Sequence, residues 1–401
     1  MLFAPSETEM WKESPSKIRI QMSDSDINAK YESREQRILT EINREKLPGF
    51  VEALKKPGYM DLRPFYQRRA RWDSKMQSRL IESFLINIPV PPVVLFEKHY
   101  NSYEVMDGQQ RISSLKAFYE NRLKLTGLEL WPELNGRTYL DLPSQIKAGI
   151  DRRSIQSIVL IAESTSDLVE ALFLKQRVFE RLNTGGVKLS QQEVRNCLYQ
   201  GKFNSLLLEL AEHPIFTEAW GIPRADHDSS SEASKELTNN TLYKTMGDAE
   251  LVLRFFALRH TENFRRGLEG FLDLYMIKSL EFTDEDMKVL KNIFICTLEL
   301  AHQIYGNSLF KPFVDQDAPE LDTWSDRAHK AYYDALMVSL SRQLSIKDVL
   351  IQHQARIIEE TKILFRQDES KLLTGAGKSK TDIQKRIKLF EDMFLNIIAD
   401  E

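Results

Sequence analysis

Apolar residues along the first half of the chain alternate between two spacings, and the change of spacing outlines the elements. Met76, Leu80, Ile81, Phe84 and Leu85 recur every three to four positions, which predicts an amphipathic helix capped by Asp73 or Ser74 and stopping before Pro89. After Pro91-Pro92, the β-branched run Val93 to Phe96 predicts a strand, and Tyr103 to Met106 predicts its neighbour across a polar Lys98-to-Ser102 turn. Asp107-Gly108 then leads into Ile112, Leu115 and Tyr119, a helical spacing, so the unit reads strand, tight turn, helix. A further strand is predicted at Ile155 to Ile161.

From Asp167 onward the pattern is helical. Leu168, Leu172, Phe179 and Leu182 line one helix, which breaks at Asn183-Thr184-Gly185-Gly186; Ser190-Gln191-Gln192-Glu193 restarts a helix with a capping box. More helices are predicted at about 203–212, 248–260, 284–305, 325–344 and 381–398, with a Ser-rich polar loop at 226–236. Residues 1–44 show little periodic apolar spacing before Ile38 and Ile42 and read as an extended arm that can dock but has no core of its own. No repeat of fixed period occurs.

Composition sharpens this outline. A chain of 401 residues suits two to three domains at roughly 150 residues each. Its 16 glycines and 14 prolines fall well below the usual combined share of about 12%, which favours helix; ten of the prolines lie at or before Pro143, so the strands and loops belong to the first part. The predicted fold is α+β: a polar arm at 1–45, a small mixed domain at 46–165, and a mainly helical domain at 166–401. A net charge of −4 excludes a strongly basic nucleic-acid coat, so any nucleic-acid surface is local. Two distant cysteines, no leader pattern and no long apolar stretch predict a cytoplasmic protein with no membrane partner.

The chemistry concentrates at residues 103–115. A strand ending in Asp107-Gly108 and feeding a helix places the N–H groups of Gly108, Gln109 and Gln110 at a positive helix end suited to phosphate, and Arg111 one turn in adds a bidentate cation. The plainer reading stands beside it: Asp107 caps the helix and Arg111 pairs with a surface carboxylate. A basic cluster, Arg63, Arg68, Arg69, Arg71, Lys75 and Arg79 against Asp61 and Asp73, could attract the phosphate of a nucleotide or of DNA, or form a solvated face. Trp72 reads as a core anchor.

The string Asp107-Gly108-Gln109-Gln110-Arg111, preceded by Tyr66-Gln67-Arg68-Arg69-Ala70-Arg71-Trp72 and followed by Asn183-Thr184-Gly185-Gly186 and Leu189, resembles the DGQQR family of ParB/sulfiredoxin-like domains. That family includes the nucleotide-using half of GmrSD-type restriction systems and the SspE effectors. The three motifs stand in the family's order, and the resemblance runs from about residue 45 onward. It implies binding of a nucleoside triphosphate with Mg²⁺ and hydrolysis coupled to defence against foreign DNA. Under it, Asp107, Gln110 and Arg111 are the catalytic residues, with Asp107 also the metal ligand. Gly108, Gln109, Gln67 and Arg68 hold nucleotide, and Asn183 closes the pocket from the helical side. DNA, a separate nuclease or defence protein and a second copy of the chain are the partners it implies. The alternative is a DNA-binding or scaffolding partner that uses nucleotide only as a conformational ligand.

Two other strings are weaker. Thr374-Gly375-Ala376-Gly377-Lys378-Ser379 imitates a phosphate loop, but Leu372 stands where that pattern needs glycine, and it reads as a polar loop before the last helix. Asp226-His227-Asp228 could open an HNH nuclease site, yet a Ser-rich loop follows where a second His or Asn is needed, so cleavage of DNA is expected from a separate protein.

Overall fold

A computed structural model describes residues 3–12, 23–32, 39–62, 72–161, 168–182, 189–224, 232–314, 323–375 and 377–399. The chain forms two compact units, one from residues 18–188 and one from residues 1–17 with 189–401. Mixed α+β architecture followed by a mainly helical region is what the apolar spacing predicts.

The 18–188 unit is built on a five-stranded sheet. Its strands are β1 (Leu39–Lys46), β2 (Met60–Asp61), β3 (Val93–His99), β4 (Ser102–Asp107) and β5 (Ser154–Ile161), in the spatial order β1-β5-β3-β4-β2. β3 and β4 form an antiparallel hairpin, with Asn101 at φ 58° in its turn. β5 runs parallel to β3, and β1 closes against β5 in an antiparallel ladder from Leu39↔Ile161 to Lys46↔Ser154.

One face of the sheet carries Val93, Leu95, Val105, Ile155 and Val159. They are buried under the helices Leu47–Ala53, Ser74–Leu85, Gln109–Tyr119 and Ser144–Asp151, which contribute Phe50, Ile81, Phe84, Ile112, Leu115 and Phe118. Alternation along a strand sends the intervening residues, Val94, Glu104, Met106 and Leu160, to the other face, where they are also buried. The helix Leu168–Leu182 covers that face, and its Lys175 Nζ donates to Glu104 Oε2 at 2.8 Å. Asp73 caps Ser74–Leu85 by accepting the Met76 N–H, a bond of the kind worth about 1 kcal/mol. Met76, expected on the apolar face of that helix, is 52% exposed: it lies in the first turn, ahead of the residues that reach the core.

The helical unit is organised by Gly247–Leu258 and Lys330–Ser341. Each is buried on nearly every side, as an all-round apolar helix must be. Buried charges in this unit are paired: Arg254 of the first of these helices makes a bidentate contact with Asp334 of the second, and Arg195, on the helix Gln191–Leu198, meets Asp273 and Glu269 of Gly267–Lys278, each at 2.6 Å. The helices Lys202–Ala211, Asp284–Tyr305 and Lys380–Ala399 pack around them, close to their predicted limits. No helix among the described residues is long and apolar enough to cross a membrane.

The polar start of the chain is not extended. Pro5–Glu9 is a short helix docked in the helical unit, with Ser6 donating through N–H and Oγ to Asp286 at 3.0 and 2.7 Å. Glu7 is fully buried there and accepts hydrogen bonds from Tyr275 Oη at 2.7 Å, His260 Nε2 at 2.9 Å and the Ala4 N–H at 2.9 Å. A second short helix, Asp24–Glu32, and strand β1 account for the rest of the described arm.

Candidate functional site

Strand β4 ends at Asp107, and the helix Gln109–Tyr119 begins two residues later. Gly108 makes the change of direction at φ 92°, ψ 12°, a backbone region that L side chains avoid. Space forbids a side chain as firmly as the dihedral does. A Cβ on Gly108 would lie 2.6 Å from Val93 Cγ1 and 3.1 Å from Arg111 Nη2. The helix thus starts directly off the strand, with its first backbone N–H groups at the turn.

Arg111 is buried, and its guanidinium is engaged within the domain. Nη1 donates to the carbonyls of Pro91 at 2.6 Å and Pro92 at 3.3 Å, while Nη2 donates to Asp107 Oδ2 at 2.6 Å. One fork therefore fastens the chain entering β3 to the carboxylate that ends β4. Asp107, with its side chain 34% exposed, presents the turn's negative charge to solvent.

Both motif glutamines reach sideways. Gln109 Nε2 donates to the Leu62 carbonyl, and Gln110 Oε1 accepts the Trp72 N–H at 3.2 Å. Trp72 packs against the sheet's core, and its carbonyl accepts from Gln77 Nε2 at 3.2 Å. Leu62 and Trp72 flank residues 63–71, so the motif holds both ends of the segment that contains Gln67 and Arg68.

Gln67, Arg68 and Asn183 themselves lie outside the described residues, as do Arg63, Arg69 and Arg71 of the basic cluster. Asn183 directly follows the helix Leu168–Leu182. Of the remaining cluster, Lys75 is exposed and Arg79 is paired with Glu129, which reduces the net positive charge available on that helix. The structure therefore brings together Asp107, Gly108, Gln109, Gln110 and Arg111 and describes what surrounds them.

Behind the turn lies a group that sequence reasoning did not single out. Glu104, three residues before Asp107 on β4, is buried against Lys175, with Lys98 Nζ 3.3 Å away and the Lys175 ammonium 4.7 Å from the Phe96 ring centroid. This pair ties the helix Leu168–Leu182 to the strand that carries the turn. An acid inside an otherwise apolar strand, Tyr-Glu-Val-Met, is the only sequence signal that could have pointed to it.

The two weaker strings resolve differently. The loop before the last helix is a cap: Asp382 Oδ2 accepts from Ser379 N–H at 3.1 Å and Ser379 Oγ at 2.6 Å, and Arg386 Nη2 donates to the Gly377 carbonyl at 2.7 Å. Asp226-His227-Asp228 lies outside the described residues. No group of three or more His, Cys, Asp or Glu side chains suited to a metal ion occurs among the described residues.

Residues 50–200 match the family described as the GmrSD restriction endonuclease, N-terminal domain. No curated protein and no solved structure matches the chain. The matched span takes in β2 to β5, the turn at Asp107 and the helices through Gln191–Leu198, and stops there, short of the reach from about residue 45 onward that the resemblance suggested. Residues 50–200, which include the Asp107–Arg111 turn, are thus similar to a GmrSD-type domain of restriction and defence systems.

Proposed function

We propose that the Asp107–Arg111 turn binds a nucleoside triphosphate with Mg²⁺, and that the chain hydrolyses it as the regulatory module of a DNA-defence system. One observation carries this reading: a strand passes through a side-chain-free Gly108 straight into a helix, and the two glutamines of the same turn hold both ends of the segment containing Gln67 and Arg68. A helix N-terminus opened by glycine favours phosphate through its N–H groups and dipole. The flanking segment then brings its guanidinium side chains to the triphosphate, and Asn183 closes the pocket.

The residues present fit a bound Mg²⁺. This ion takes one or two carboxylates and completes its shell with phosphate oxygens and water, and Asp107 offers one partly exposed carboxylate at the turn. When bound, Mg²⁺ supplies charge neutralisation on the phosphate oxygens. Asp107 holds the ion or orients a water, with Arg111 fixing its rotamer. Gly108 and Gln109 contribute backbone N–H groups, and Gln110 keeps the facing segment in place. DNA and a separate nuclease are the partners this reading assigns.

Phosphate release by the purified chain, measured with and without DNA, tests it. Release that falls at least tenfold in Asp107→Asn while the protein stays folded is the expected result. Binding of nucleotide with no release under either condition would favour the scaffolding alternative, in which nucleotide is a conformational ligand.

A further inference from the structure

Strand β1 forms one edge of the five-stranded sheet, and among the described residues no strand pairs with its outer side. Every residue from Thr40 to Lys46 is exposed, so neither face of this strand is covered. Edge strands are ordinarily guarded by charge, and Glu41, Arg44, Glu45 and Lys46 provide that. The centre is different: Ile42 is 74% exposed, an apolar side chain at the middle of the open edge.

We propose that β1 pairs antiparallel with β1 of a second copy of this chain, about a twofold axis through Ile42. Symmetry limits the registers. In an antiparallel ladder, facing residues are either both hydrogen-bonded or both not, and this alternates along each strand. Two copies offering the same edge must therefore place residues of like parity opposite each other. Centring on Glu41 or on Arg44 sets like charges face to face, and centring on Asn43 sets Glu41 against Glu45 twice. Centring on Ile42 pairs Ile42 with Ile42, Thr40 with Arg44, Glu41 with Asn43 and Leu39 with Glu45, with no like charges opposite one another. This register buries Ile42, the apolar side chain exposed among residues 40–46. Glu41 remains a diagonal neighbour, at ~7–8 Å, of both Glu41 and Glu45 of the other copy, which keeps the pairing weak. One strand pair also buries far less than the ~1,600 Å² of a standard interface, so the dimer forms in proportion to concentration.

Cross-linking tests the register. In a full-length Cys296→Ala background, Ile42→Cys is expected to give a disulfide-linked dimer under mild oxidation, in yield that rises with protein concentration. Thr40→Cys is the control. Four residues separate Thr40 from its facing position, so the two Thr40 sites stand roughly 14 Å apart, beyond the ~7 Å Cα limit for a disulfide. At least tenfold slower linking is expected for it. Equal rates for the two variants, or no dimer from Ile42→Cys, would overturn the proposal. Sedimentation of the unaltered chain gives a second readout. Its weight-average mass should rise with concentration, and Ile42→Lys, a change at an exposed site, should hold it at the monomer with an unchanged melting temperature. A parent that stays monomeric, or a variant that associates as the parent does, would show that β1 is not the interface.

Discussion

Arg111 offers the sharpest test of how the turn is held. Arg111→Ala removes two hydrogen bonds to the Pro91 and Pro92 carbonyls and the ion pair to Asp107. Bonds to charged groups contribute ~1.5–3 kcal/mol each, and breaking a buried pair costs ~3–5 kcal/mol. Two features lower the total. Asp107 is 34% exposed and Pro91 is exposed, so water reaches the acceptors left behind. The three contacts also belong to one side chain and do not add. A net loss of about 2–4 kcal/mol in the stability of the sheet domain follows, or roughly 30- to 700-fold in an opening equilibrium. Amide hydrogen exchange across the helix Gln109–Tyr119 reads this directly, with Gly247–Leu258 in the helical unit as the internal control. Protection should fall by that factor in the first helix and hold in the second. Arg111→Lys should lie between, because one ammonium cannot reach both the proline carbonyls and Asp107 as the fork does. A change under about twofold in Arg111→Ala would refute the clamp, since it corresponds to less than ~0.5 kcal/mol.

Gly108→Ala should destabilise the same domain by about 2–4 kcal/mol, through the backbone at positive φ and the clash with Val93; adding Val93→Ala should recover only the steric part, as read by urea denaturation. Glu7 predicts a pH dependence in the helical unit. Burial pushes its carboxyl up, but the hydrogen bond from His260 and the charge of Arg259 outweigh this and hold it below the ordinary 4.5. A lowered folded pKa means that its stabilisation is present above the unfolded value and disappears as pH falls through the folded one. Stability should therefore decline below about pH 4.5 in the parent and decline less in Glu7→Gln, measured by urea midpoints at pH 3 to 6. Equal slopes in parent and variant would remove Glu7 from the explanation.

The elements around the turn were legible from their apolar spacing. Val93 to Phe96 and Tyr103 to Met106 are short apolar runs between turn residues, and Ile112 and Leu115 follow a helical period; Val93, Leu95, Val105, Ile112 and Leu115 share one core. Strand β1 was not legible, because an edge strand exposed on both faces carries no apolar period, and Leu39 to Lys46 reads as polar arm. Where and how Pro5–Glu9 docks was hidden for a different reason: Glu7 is buried by partners some 250 positions away, and no local pattern announces a paired internal acid.

Within the turn, the residue types predicted the strand, turn and helix and left the bonding open. The four-residue spacing of Asp107 and Arg111 is that of a pair on adjacent helical turns, and it was a signal for the ion pair the structure contains. That Arg111 also reaches the Pro91 and Pro92 carbonyls depends on how β3 lies beside β4, which only tertiary structure determines. Where the glycines imitated a phosphate loop, the sequence read only a polar loop, and the structure adds the cap that Ser379 and Asp382 form there.

Binding at the turn is the claim on which the functional reading stands. Calorimetric titration of the full chain with each of the four common ribonucleoside triphosphates, in the presence of Mg²⁺, measures it most directly. Saturable heat with at least one triphosphate is the predicted result, with much of the affinity kept in Asp107→Asn, which preserves the shape of the turn, and lost in Gly108→Ala, which disturbs it. No heat with any of the four at millimolar concentration, from protein that melts cooperatively, would contradict the account.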